Sequence, residues 1–163
     1  MPKPLACSLL VLIAFAVPAA AAPALVFSTA TSAEHDTIKA LMQQEGGVDI
    51  KDKWLNIAPI DLDLDGVPEL FVMAINTDYF CGDAGCVPEI YQRDGQGWRK
   101  IDLGLNEFIN SDLADWTVLP EPQHGRLALK LTESQSSTTF VWDGTAYVSL
   151  EALSAESSES SAQ

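Results

Sequence analysis

A chain of 163 residues carrying a formal charge of −14 has room for one domain and little else. Its 23 acidic side chains against 9 basic ones repel phosphate backbones and anionic lipid heads. That argues against nucleic acid and the membrane surface and leaves cations or a basic protein as partners, with the chain itself expected to be a monomer.

Residues 1–24 read as a secretory signal peptide. Lys3 supplies the positive start, Leu5 to Val17 the apolar run, and Ala19 to Ala24 the small residues of a cleavage site. Cutting after Ala21 or Ala24 is favoured, because Pro23 would follow a cut after Ala22. The apolar run falls short of the roughly 20 residues that a spanning helix needs. Cys7 precedes most of that run and leaves with it. The expected location is therefore exported, periplasmic or extracellular. The domain occupies 25–153, and the Ser-, Glu- and Ala-rich stretch 154–163 lacks apolar area to bury and is expected to be a disordered acidic tail.

Thr31-Ser32-Ala33-Glu34 has the pattern of a capping box, with Thr31 as N-cap and Glu34 three residues on. Ile38, Leu41 and Met42 share one helical face, and Gly46-Gly47 ends the segment. His35, flanked by Glu34 and Asp36, is expected at the solvated surface of this helix.

From Trp54 the pattern changes to short β-like segments between turn signals. Trp54 to Ile60 and Leu70 to Ile75 flank an acidic loop; Val87 to Gln92 and Trp98 to Leu103 flank the hairpin signal Asp94-Gly95-Gln96-Gly97. Trp116 to Leu119 and Leu127 to Leu131 enclose a bend at Pro120 to Gly125, and Thr138 to Trp142 and Tyr147 to Leu150 enclose Asp143-Gly144. Between them, Leu103 to Asp115 suits a short helix or a loop about equally. Aromatic residues fall one or two to a strand, as in a filled sheet core. The fold class expected is mostly β (α+β): an antiparallel meander or small sandwich of about seven or eight short strands, with one N-terminal helix on a face.

The acidic loop runs from Ile60 to Val72. Asp61, Asp63, Asp65 and Glu69 stand at positions 1, 3, 5 and 9, with Gly66 at position 6 where the chain must turn. Two carboxylates about 4 Å apart repel by roughly 1 kcal/mol in water and about 4 at an effective dielectric near 20. An ordered loop must therefore protonate, open or take a cation. Calcium accepts six to eight oxygens at flexible geometry, and Asp61, Asp63, Asp65, the Val67 carbonyl and Glu69 supply them; magnesium demands stricter octahedral geometry. An EF-hand would carry a bidentate Glu at position 12, where this chain has Val72.

With a strand following in place of a helix, Asp61, Asp63, Asp65, Gly66, Glu69 and Leu70 resemble the calcium loops of FG-GAP and VCBS-type repeats. The resemblance implies one calcium ion held between two strands by these carboxylates and the carbonyl at position 7, Val67. It covers about a dozen residues and one copy, and Leu64 departs from it where a small or polar residue is usual. The loop, the Cys-Gly-x-x-Gly-Cys segment and Val141-Trp142-Asp143-Gly144 with Tyr147 also resemble small exported bacterial proteins of unassigned function.

A different chemistry fits Asp63-Leu64-Asp65-Gly66-Val67, which matches the first motif of haloacid-dehalogenase-type phosphatases. There Asp63 would be the nucleophile and Asp65 the general acid beside magnesium. That site requires a buried parallel strand before it, whereas Pro59 and Asp61 interrupt the preceding run. Cys81 and Cys86 read as a disulfide in an exported chain, worth roughly 2 kcal/mol for so short a ring. They are expected to pin the loop that follows the strand leaving the acidic loop, so that the two features brace one region. Tyr79 and Phe80 beside them could form a contact surface. His124 sits at a turn facing solvent. No nucleophile motif, zinc motif or phosphate loop is present. The reading that follows is a non-enzymatic calcium-binding domain that acts by protein binding; an acidic inhibitor or immunity protein against a basic cell-wall hydrolase is its alternative.

Overall fold

A computed structural model describes residues 24–29, 32–75, 81–82, 85–105, 115–133 and 136–153. The expected signal peptide up to residue 23, the tail 154–163, the contact residues Tyr79 and Phe80, and most of Leu103 to Asp115 lie outside the described residues.

Helix α1 spans Ala33–Gly46. Ser32, one residue later than the Thr31 expected from the sequence, is its N-cap: the Ser32 hydroxyl accepts from the His35 backbone N–H at 3.1 Å. Gly47 closes the helix at φ 66, its N–H donating to the Gln43 carbonyl at 2.8 Å. Ile38 and Met42 are fully buried on the inner face, as expected. His35 is buried beside them at 2 % exposure, which corrects the expectation of a solvated ring.

Strands β1 (Leu55–Ile60), β2 (Glu69–Ala74), β5 (Pro88–Asp94) and β6 (Gly97–Ile101) form one antiparallel meander in that spatial order. Strands β7 (Asp115–Gln123), β8 (Arg126–Glu133), β9 (Ser136–Trp142) and β10 (Tyr147–Ser149) form a second. Two-residue strands β3 (Cys81–Gly82) and β4 (Gly85–Cys86) make a small hairpin closed by the Cys81–Cys86 disulfide. The fold is thus mostly β, with a helix laid on the first of two packed sheets.

Alternation along β2 shows how the layers are built. Leu70, Val72 and Ala74 face the helix with Ile38, Met42, Leu55 and Ile57, while Phe71 and Met73 face the second sheet. All six residues of this strand are buried, because it is covered on both sides. Across the sheet–sheet interface Phe71 meets Trp116 at 5.2 Å, and Trp116 meets Phe140 at 5.7 Å. Tyr147, also fully buried there, donates its hydroxyl to the Leu127 carbonyl at 3.0 Å. Burial pushes its phenol well above the ordinary range.

The hairpin signals act through their aspartates. Asp94 Oδ1 accepts from the N–H groups of Gln96 and Gly97, and Asp143 Oδ1 from those of Thr145 and Ala146. The Pro120 to Gly125 stretch differs from expectation. Strand β7 continues through Pro120 and Pro122, and the turn is only His124-Gly125, with His124 exposed at φ 53. Proline is tolerated because β7 is an edge strand and its register shifts between Val118 and Pro122. Gly104 is a close approach: a Cβ there would sit 2.5 Å from the Tyr147 carbonyl oxygen.

Candidate cation loop and its arginine clamp

The acidic loop is the connection of the β1–β2 hairpin, with Ile60 paired opposite Glu69. Its backbone curls around the first aspartate. Asp61 accepts from Asp65 N–H at 3.1 Å and from Gly66 N–H at 3.0 Å, and Asp65 Oδ1 accepts from Val67 N–H at 2.7 Å. Gly66 takes φ 88, as position 6 requires. Leu64 takes φ 61, a region that opposes a Cβ, and leaves its side chain 56 % exposed. Its departure from the usual pattern is therefore backbone strain without compensating burial.

These turns bring Asp61, Asp63 and Asp65 together, one carboxylate oxygen from each within 4.8 Å of the others. The donor set is all oxygen, suited to a hard divalent cation. This is a generic acidic metal-binding arrangement, and among the described residues it is the one group of three or more metal-ligating side chains that converges.

Glu69 is placed differently from the expected ligand. Its carboxylate is 1 % exposed and turned into the protein, accepting from Leu62 N–H at 2.7 Å and from Arg126 Nη1 at 3.3 Å. Burial raises its pKa, and the carboxylate of Asp63 adds to the rise; Leu62 N–H and Arg126 oppose it. Arg126 also donates Nη2 to Asp63 at 3.2 Å, and Gln92 donates to the same Asp63 oxygen at 2.7 Å. The guanidinium lies 4.5 Å above the Trp142 ring. Next to it in sequence, Leu127 N–H donates to the Leu62 carbonyl at 2.7 Å. The second sheet thus grips the loop of the first from behind.

Arg126 is the residue that reading the sequence missed. Its one signal there was position: a basic residue opening an apolar strand immediately after a turn.

The disulfide closes the segment that follows β2, as expected, but it stands apart from the acidic loop itself. Cys81 Sγ lies 3.2 Å from the Ala74 carbonyl, at the far end of β2 from Glu69, so the two features are separated by roughly 17 Å of strand. The hairpin also departs from the setting that the phosphatase motif requires. β1 and β2 are antiparallel, so Asp63 stands in a hairpin and not at the end of a buried parallel strand.

No family model, curated protein or solved structure matches the chain, and the likeness to FG-GAP and VCBS loops therefore rests on its dozen residues alone.

Proposed function

We propose that this chain is a non-enzymatic, exported binding domain whose Asp61–Pro68 loop holds one calcium ion. The observation that carries the reading is the convergence of three carboxylate oxygens at the neck of a β-hairpin. Asp61, Asp63 and Asp65 would ligate, with the Val67 carbonyl next in the loop as a further oxygen; Glu69 would support the loop through Leu62 and Arg126. A calcium ion there would cancel the repulsion among the aspartates and fix the β1–β2 connection. The Cys81–Cys86 disulfide supports an oxidising compartment, and the formal charge of −14 supports a basic protein as partner.

Arg126 motivates a second reading, in which the guanidinium is itself the counter-ion of the loop and no metal is needed. Thermal melting separates the two. At a free calcium concentration 100 times its dissociation constant, a structural ion adds about 2.7 kcal/mol, or roughly 10 °C in Tm for a domain of this size. Chelator should reverse the gain, and replacing Asp61 and Asp65 by Asn should abolish it. A melt that ignores both calcium and chelator refutes the cation site and favours the arginine.

A further inference from the structure

Between the first turn of α1 and the β1–β2–β5–β6 sheet lies a cleft of about 430 Å³. Ile57 and Pro59 of β1, Leu70 of β2 and Trp98 of β6 give it apolar walls. Its volume lies at the lower end of those that hold small molecules.

His35 also lines this cleft, and it is chemically out of place. It occupies the inward helix face shared with Ile38 and Met42, at 2 % exposure, and neither ring nitrogen has a hydrogen-bond partner. The nearest carboxylate, Asp36, is 3.8 Å from Nδ1, beyond hydrogen-bonding range. The Ser32 hydroxyl accepts from the backbone N–H of His35 and does not serve the ring. A buried polar group left without a partner costs about 1–3 kcal/mol, a cost that Leu or Phe at the same position would avoid. A neutral imidazole offers one donor and one acceptor, and a hydroxyl group can answer either.

Charge narrows the occupant. Glu34 and Arg93 face each other at 3.5 Å on the rim, with Arg93 lying 4.6 Å over the Trp98 ring, so neither is a free counter-charge. The formal charge of −14 opposes an anion. We propose that the cleft binds a small uncharged molecule with an apolar body and a hydroxyl group. The body seats against Ile57, Leu70 and Trp98, and the hydroxyl takes a ring nitrogen of His35. Val67 and Pro68 of the acidic loop also line the cleft, but the binding proposed uses neither of them and does not require the cation.

Four benzene derivatives of similar size serve as probes: toluene, benzyl alcohol, benzoate and benzylammonium. Each is titrated into the full chain, in chelator, while the imidazole nitrogens of His35 and the indole N–H of Trp98 are followed by NMR. Benzyl alcohol should shift both and bind about fivefold tighter than toluene, the discrimination that one net hydrogen bond provides. The two charged probes should bind more weakly than the alcohol. His35→Phe, which keeps the ring and removes the nitrogens, should bring the alcohol to the level of toluene. The proposal is overturned if benzyl alcohol leaves both signals unmoved at millimolar concentration, if a charged probe binds best, or if the variant keeps the preference for the alcohol. The wild-type titration decides by itself should the variant fail to fold.

Discussion

Removing the Arg126 guanidinium while keeping its bulk, as in Arg126→Met, leaves the buried Glu69 carboxylate with backbone N–H groups, that of Leu62 foremost, and no counter-ion. A buried charge stripped of its counter-ion costs about 3–5 kcal/mol. Glu69 can limit that cost by taking up a proton. From an ordinary value of 4.5, protonation at pH 7 costs about 3.4 kcal/mol, at 1.36 kcal/mol for each pH unit. Loss of the contact with Trp142 adds about 0.5–2 kcal/mol. The variant should therefore lose about 4 kcal/mol at pH 7. At pH 5 protonating Glu69 costs only about 0.7 kcal/mol, and the loss should shrink to about 1–3. The sign follows from linkage: Arg126 opposes the rise in the folded pKa of Glu69, so the variant takes up that proton at higher pH than the parent and its deficit narrows as pH falls toward 4.5. Urea denaturation of both proteins at pH 5 and pH 7, in chelator so that no cation neutralises the loop, measures the difference. Adding Glu69→Gln to the variant keeps an acceptor for Leu62 N–H and removes the charge, so most of the loss at pH 7 should be recovered. A loss below about 1 kcal/mol at pH 7, an equal loss at both pH values, or no recovery in the double variant would refute the clamp.

Leu64→Asn should raise stability by about 0.5–1 kcal/mol in chelator, since asparagine tolerates the left-handed backbone and the leucine side chain is largely exposed; an unchanged or lower melting temperature counts against strain at this position. Gly104→Ala should cost at least about 2 kcal/mol, because the added carbon meets the Tyr147 carbonyl and threatens the bond from Tyr147 N–H to Asp102, readable as a lowered urea midpoint. For Asp143, the N–H groups of Ala146 and Thr145 hold the carboxyl below its ordinary value of 3.8. Its contribution is full above that value and disappears as pH falls through the lower, folded one. Asp143→Ala should accordingly be less stable than the parent at neutral pH, with the two denaturation midpoints converging in acid; a gap that persists in acid would show that the turn does not depend on this charge.

Much of the fold was legible because β-strands with one buried face write their alternation into the chain, and Asp-Gly turns mark their ends. The eight strands of the two sheets follow from such signals. The extent of β7 did not, since proline reads as a breaker and only its place at a sheet edge makes Pro120 and Pro122 harmless. The converging aspartates were legible from spacing, a local property. The placement of Glu69 was not, because its partner Arg126 stands 57 residues away. His35 was misread from its acidic neighbours, although it lies three and seven residues before Ile38 and Met42 and so on their face.

The arginine clamp also sets an order of assembly. Each four-stranded meander forms from contacts between neighbouring segments, but the bond from Arg126 to Asp63 closes 63 residues of chain. Every aspartate of the loop is synthesised well before the cation that holds it from behind. A chain emerging from its N-terminus can therefore build the first hairpin early, yet Glu69 lacks its partner until the second sheet has been made and docked. Refolding kinetics should carry that signature: Arg126 contributes to the final docking step and slows unfolding, while the first meander gathers before it.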